Sequence, residues 1–90
     1  MSIDFDEEKD QANIAKHGVS LAWAGDFEIL RFIEDDRQDY GEVRYRAWGT
    51  IDKVPHALVF TVREGRIRAI SLRRAHSKEI RRYAIDEGSR

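Results

Sequence analysis

The sequence predicts an α+β fold: two N-terminal helices, a three- to four-stranded antiparallel sheet and a C-terminal helix. Three observations predict it. Apolar residues recur at three- and four-residue spacing through residues 12–30, and they alternate or run together in residues 43–73. Helical spacing returns after Ser77. Helices and strands segregated in this way, rather than alternating, mark an α+β arrangement.

Each element follows in order. Ile3-Asp4-Phe5 reads as a short strand or an extended lead-in. Asp6 is placed to cap a first helix, with Glu7, Glu8 and Asp10 where the helix dipole favours acids. This helix is expected to carry Ala12 and Ala15 inward. It ends at Lys16-His17-Gly18, where bases meet the carbonyl end and the glycine can turn left-handed. Ser20 offers a second cap, and Leu21, Trp23, Ala24, Phe27 and Leu30 trace an amphipathic second helix. Gly25 weakens that helix by about 1 kcal/mol relative to alanine. Residues 34–41 are polar and turn-rich, hence a loop.

Strands are expected at residues 43–50, 56–63 and 66–73. The apolar run from Ala57 to Val62 fits a central strand, with Pro55 just outside it, where a missing N–H costs no ladder bond. Glu64-Gly65 fits a two-residue hairpin turn. Ser77 is placed to cap the last helix, with Ile80, Tyr83, Ala84 and Glu87 on one stripe and Gly88 closing it.

Ninety residues read as one domain spanning 1–90. A hydrophobic fraction of 41% argues against disorder even though 37% of residues are charged. The absence of cysteine excludes a disulfide scaffold, a thiol nucleophile and a cysteine-bearing zinc site. The first six residues lack the basic start and apolar core of a signal peptide. No apolar run approaches the ~20 residues that cross a bilayer. The expectation is a cytoplasmic protein with no membrane association.

Net charge is −1, but it is unevenly placed. Residues 1–42 hold 12 acids against 4 bases, and residues 43–90 hold 5 acids against 12 bases. Such asymmetry points to a polyanion-binding face, or to acidic helices neutralising basic strands on one surface.

No nucleophile motif or phosphate-cradling glycine loop is present. His17, His56 and His76 are too scattered to suggest a metal cage, so neither metal nor cofactor is expected. What stands out is arginine: Arg44, Arg46, Arg63, Arg66, Arg68, Arg73, Arg74, Arg81 and Arg82 fall on the expected sheet and last helix. Guanidinium groups bind phosphate bidentately and stay charged at any working pH. Tyr45, Trp48 and Tyr83 are candidates for stacking on bases. Metal-free RNA cleavage needs a proton acceptor for the 2′-hydroxyl, stabilisation of the extra phosphoryl charge and a proton for the leaving oxygen. Arginine does the second job. Glu79 or a histidine can take the proton, and Lys16, His17 or Tyr83 can return one.

Several pieces of the chain stand in a recognisable order: Phe5-Asp6, then Asn13-Ile14-Ala15-Lys16-His17-Gly18-Val19-Ser20, then the run from Asp36 to Tyr45 with Trp48-Gly49. They continue through the basic hairpin of residues 59–71 to Arg73-Arg74-Ala75, Glu79 and Arg81-Arg82-Tyr83. In order and spacing, these pieces resemble the BrnT family. The resemblance implies a RelE-like fold and a ribonuclease toxin that halts translation. It also implies neutralisation by a BrnA-type ribbon-helix-helix antitoxin, with operator DNA bound only through the complex. Carried over by position, it points to Lys16, His17, Arg63, Arg74, Glu79 and Tyr83.

We therefore take His17, Arg63, Arg74 and Glu79 as candidate catalytic residues. Lys16, Arg44, Arg73, Arg82 and Tyr83 are the candidate substrate-binding residues. Plainer roles stand beside these. His17 fits a helix cap, Glu79 fits a first-turn acid paired with Arg82, Tyr83 fits the core, and Asp39 or Glu42 fits a partner for Arg44. A non-catalytic corepressor and a simple nucleic-acid-binding module remain alternative functions. The apolar residues around Phe32 and Ile33 read as a partner surface or as core.

Overall fold

A computed structural model describes residues 2–85 of the chain. Strand β1 (Ile3–Asp4) leads into helix α1 (Glu7–His17), followed by a 3-10 helix (Leu21–Asp26). Strands β2 (Glu28–Glu34), β3 (Arg44–Ile51), β4 (Val54–Arg63) and β5 (Arg66–Arg74) come next, and α2 (Ser77–Arg82) closes the described chain. The strands form one sheet in the order β1-β5-β4-β3-β2, with β1 parallel to β5 and every other pair antiparallel. The α+β class, the central place of β4 and the C-terminal helix match the sequence reading. The sheet has five strands, beyond the expected three to four.

The second N-terminal helix is corrected. Ser20 does cap, accepting a hydrogen bond from the Ala22 amide, but only a 3-10 turn follows. Residues 28–34 then pair with β3. The spacing from Phe27 to Leu30 suits a helix, yet Ile29, Phe32 and Ile33 are strand formers that a neighbouring strand can capture. Gly49 makes the capture possible, because a Cβ there would collide with the Glu28 carbonyl oxygen.

The α1 caps form as expected. Asp6 accepts from the Glu8 amide, and Gly18 takes the left-handed conformation at φ 72°. Its inward face is different: Ala12 and Ala15 are exposed, and Asp10 and Asn13 are buried. The reason is where α1 sits. It lies along the β5 edge, where backbone groups need partners more than apolar surface needs cover. The Asn13 amide donates to the carbonyls of Leu72 (2.8 Å) and Val19 (2.7 Å) and accepts from the Leu72 amide (3.1 Å). Asp10 accepts from the Leu21 amide (2.7 Å) and the Ser20 hydroxyl (3.0 Å).

The core lies between this N-terminal segment and one sheet face. Val19, Leu21, Ala24 and Phe27 pack on Ala47, Ile51, Leu58, Phe60, Ala69 and Leu72. Two hairpins turn on paired left-handed residues, Asp52-Lys53 and Glu64-Gly65, which suit the strand twist. Pro55 lies inside β4, opposite Thr50, rather than just before it. His76, not Ser77, is the cap residue of α2. Ala84 is exposed and left-handed, and Ile85 is buried in its stead. The expected positions of Glu87 and Gly88 lie outside the described residues. No described helix is long and apolar enough to cross a membrane.

Candidate active site

Strand alternation places Arg46, Trp48 and Arg73 on the sheet face opposite the core, where β3 and β5 flank Ala57 and Val59 of β4. The end of α1 adds Lys16 and His17, and the loop before β3 adds Arg37. These residues line a cleft of about 250 Å³. Asn13 sets the position of the α1 end, because its three hydrogen bonds fix the helix against Leu72, next to Arg73.

One carboxylate organises the cleft wall. Glu79 accepts both terminal nitrogens of Arg73, Nη1 at 2.7 Å and Nη2 at 2.9 Å. It also accepts from the Trp48 indole N–H (2.9 Å) and the His76 amide (2.8 Å). The Arg73 hydrogen bonds are the main reason its pKa falls to about 2, against the opposing effect of burial. Glu79 is therefore ionised and only weakly basic.

His17 has the opposite character. Burial, and then the positive charges of Lys16, Arg73 and His76, lower its pKa below 6.5. Its imidazole is neutral at pH 7 and able to accept a proton. Arg37 is held by Asp35, a carboxylate only 4% exposed, which accepts Nε at 2.7 Å and Nη2 at 2.8 Å. The Tyr40 hydroxyl donates to the same carboxylate (3.0 Å). These bonds, with Arg37 foremost, hold Asp35 well below the usual carboxylate range.

The candidate residues separate into groups. Lys16, His17, Arg73 and Glu79 come together at the cleft. Tyr83 stacks on Trp48 with ring centroids 4.0 Å apart, and the Arg82 guanidinium lies over the Tyr83 ring at 5.7 Å. Arg44 and Arg63 instead share Glu42, at 3.2 and 3.0 Å. Arg74 points the other way from Arg73. It pairs in register with His56 and lines a separate pocket with Trp23, Asp26 and Asp52.

Base stacking by Trp48 and Tyr45 is corrected. Trp48 is 1% exposed, and Tyr45 stacks on Phe60 on the core face. Glu79 pairs with Arg73, not with Arg82. Glu42 does hold Arg44, whereas Asp39 accepts from the Gly41 amide.

Arg37 and Arg46 line the cleft but were not among the candidates. For Arg46 the signal was available: it stands two residues before Trp48 on a strand and so shares its face. Arg37 lies in a loop, and only the buried Asp35 reveals its position. Among the described residues, no group of three or more His, Asp or Glu is placed to hold a metal ion.

Fold and cleft define a small α+β protein with a cationic, histidine-bearing site suited to a phosphodiester. A family model described as a ribonuclease toxin, BrnT, of a type II toxin–antitoxin system matches residues 5–79. The chain belongs to this BrnT family. No curated protein matches the chain. The match ends at Glu79, so Arg82 and Tyr83 lie beyond it.

Proposed function

We propose that this chain is a metal-independent endoribonuclease toxin whose cleavage centre is the cleft between the end of α1 and β5. One observation carries the reading: the His17 imidazole shares a cleft with the cations of Lys16, Arg37, Arg46 and Arg73, and burial, followed by the charges of Lys16 and Arg73, lowers its pKa.

In this reading His17 takes the proton of an RNA 2′-hydroxyl, and the oxygen attacks the adjacent phosphorus. The new P–O2′ bond forms as the P–O5′ bond breaks, leaving a 2′,3′-cyclic phosphate. Lys16 supplies the proton that leaves with the 5′-oxygen. Arg73 stabilises the phosphoryl charge. It has five N–H donors, of which Glu79 takes two and the Arg74 carbonyl one. The two left over are Nε–H and one Nη2–H, the side-on fork that fits two phosphate oxygens. Glu79 is thus a positioning residue for Arg73, and its low basicity suits that role better than proton transfer.

The carboxylate of Glu79 is fully engaged, and the other cleft groups are cationic, a donor set that favours phosphate over a metal ion. Cleavage of this kind would inhibit translation, with a BrnA-type ribbon-helix-helix antitoxin as the neutralising partner. A RelE-like relationship is consistent with the antiparallel sheet and the helix packed on its open face.

The test uses purified, antitoxin-free protein with single-stranded RNA and with the same sequence as DNA, both in chelator. The expected result is RNA cut to 2′,3′-cyclic phosphate ends and intact DNA. Cleavage that stops in chelator and returns with magnesium would contradict the mechanism, as would cut DNA.

A further inference from the structure

The two edges of the sheet are treated differently. At the β5 edge, β1 covers Ile67 and Arg68, and the Asn13 side chain covers Leu72. At the β2 edge no described residue pairs with the outer side of the strand, and all seven of its residues are exposed. Four are large and apolar: Ile29 (36%), Leu30 (51%), Phe32 (59%) and Ile33 (45%). Sheet edges are commonly blunted by lysine, proline, a bulge or a covering segment. β2 has a register irregularity between Ile29 and Arg31 and charges at Glu28, Arg31 and Glu34, but no lysine, proline or outer pairing strand among the described residues.

The apolar groups fall on both faces. Phe32 pairs with Ala47 and meets Tyr45 edge-on, on the core side, whereas Ile33 pairs with Arg46 on the cleft side. A docking helix covers one face only. An added strand presents alternate side chains to both, which is what this edge requires.

Charge narrows the occupant further. Asp26 and Glu28 precede the apolar centre, Glu34 and Asp36 follow it, and Arg31 stands in the middle. A second copy paired antiparallel about Arg31 would set Glu28 against Glu34 and Arg31 against itself. Like charges directly opposite destabilise a ladder. A complementary strand carries bases at its ends around an apolar centre.

We infer that β2 is the docking edge for the antitoxin of this type II system, which adds an extended, apolar segment with basic ends to the sheet. Position links the surface to the proposed cleavage centre. Arg31 and Ile33 stand in register with Trp48 and Arg46, which puts this edge one strand from the cleft residues of β3. A partner docked here is expected to hinder RNA at the cleft. This regulatory consequence rests on the ribonuclease reading; the docking itself does not.

The experiment measures binding of the cognate antitoxin, separately from RNA cleavage. Hydrogen exchange on the unmodified proteins should show β2 amides slowed in the complex. Phe32→Glu and Leu30→Glu should each weaken binding at least about tenfold, as hot-spot losses do. Ile14→Glu, on α1, should leave binding unchanged. Cleavage by the free variants should equal that of the unmodified protein, and only the two β2 variants should escape inhibition. Wild-type binding by both β2 variants, or unchanged β2 exchange, would overturn the proposal. A free protein that dimerises through β2, or whose β2 amides lose protection when residues 86–90 are removed, would assign the edge to a second copy or to the chain's own terminus. Intact RNA with β2-dependent binding would refute the ribonuclease reading alone.

Discussion

Glu79 decides what Arg73 can do. By taking the end-on edge of the guanidinium it leaves the side-on fork free, and by accepting from Trp48 it ties that fork to the sheet. Arg73 and Arg74 are neighbours in sequence, but a strand sends them to opposite faces. An Arg-Arg pair therefore does not itself reveal which member meets a substrate; that depends on which face the helices cover. The same problem hid Arg37, whose place comes from the buried Asp35. We expect Asp35→Asn to weaken RNA binding by about 1–2 kcal/mol, read as a raised KM with little change in kcat. A wild-type KM would separate Arg37 from the substrate. His17 gives a pH signature. If it is the base, kcat/KM rises with pH while its imidazole loses a proton, at a midpoint below 6.5. His17→Gln should remove that limb, and a variant that keeps it would assign the base elsewhere.

At the scale of elements, local signals were legible and pairing signals were not. The Asp6 cap, the Gly18 stop and the Glu64-Gly65 turn each follow from one or two residues, and each formed where the sequence placed it. β2 did not, because its identity depends on a residue twenty positions away. Gly49 lets the β2 backbone approach, and nothing in residues 28–34 announces it. Gly49→Ala should cost about 1–3 kcal/mol through overpacking against immovable backbone. The reading is a lower urea midpoint with an unchanged slope. A wild-type midpoint would mean that β2 is held by something other than this close approach. The inward face of α1 was misread for a related reason: its period suggested small apolar contacts, but the edge of β5 needed hydrogen-bonding groups.

For the whole molecule, the acidic N-terminal and basic C-terminal halves meet in specific pairs. Asp4 holds Arg68 (2.6 Å), and Glu42 bridges Arg44 and Arg63. The asymmetry thus serves structure as well as leaving a cationic cleft. Acid should lower the protein's stability in two pH ranges. His56 is buried, and burial foremost lowers its pKa, so the folded state resists protonation there. Below the ordinary histidine value of 6.5 the unfolded state binds the extra proton, and stability falls. Glu79 contributes stability above its ordinary value of 4.5 that is lost as pH falls toward about 2. Urea unfolding from pH 7.5 to 3.5 should show both declines, the first diminished in His56→Gln. A flat profile between pH 7.5 and 5.5 would contradict the first.

The most direct test of the cleft is single-turnover RNA cleavage by two variants of adjacent residues, Arg73→Ala and Arg74→Ala, each confirmed folded. Loss of one oriented charge-stabilising donor costs about 10²–10³ in rate. The account predicts that loss for Arg73→Ala and near wild-type cleavage for Arg74→Ala. The reverse pattern would place the chemistry on the opposite face of the sheet and contradict the cleft as the site.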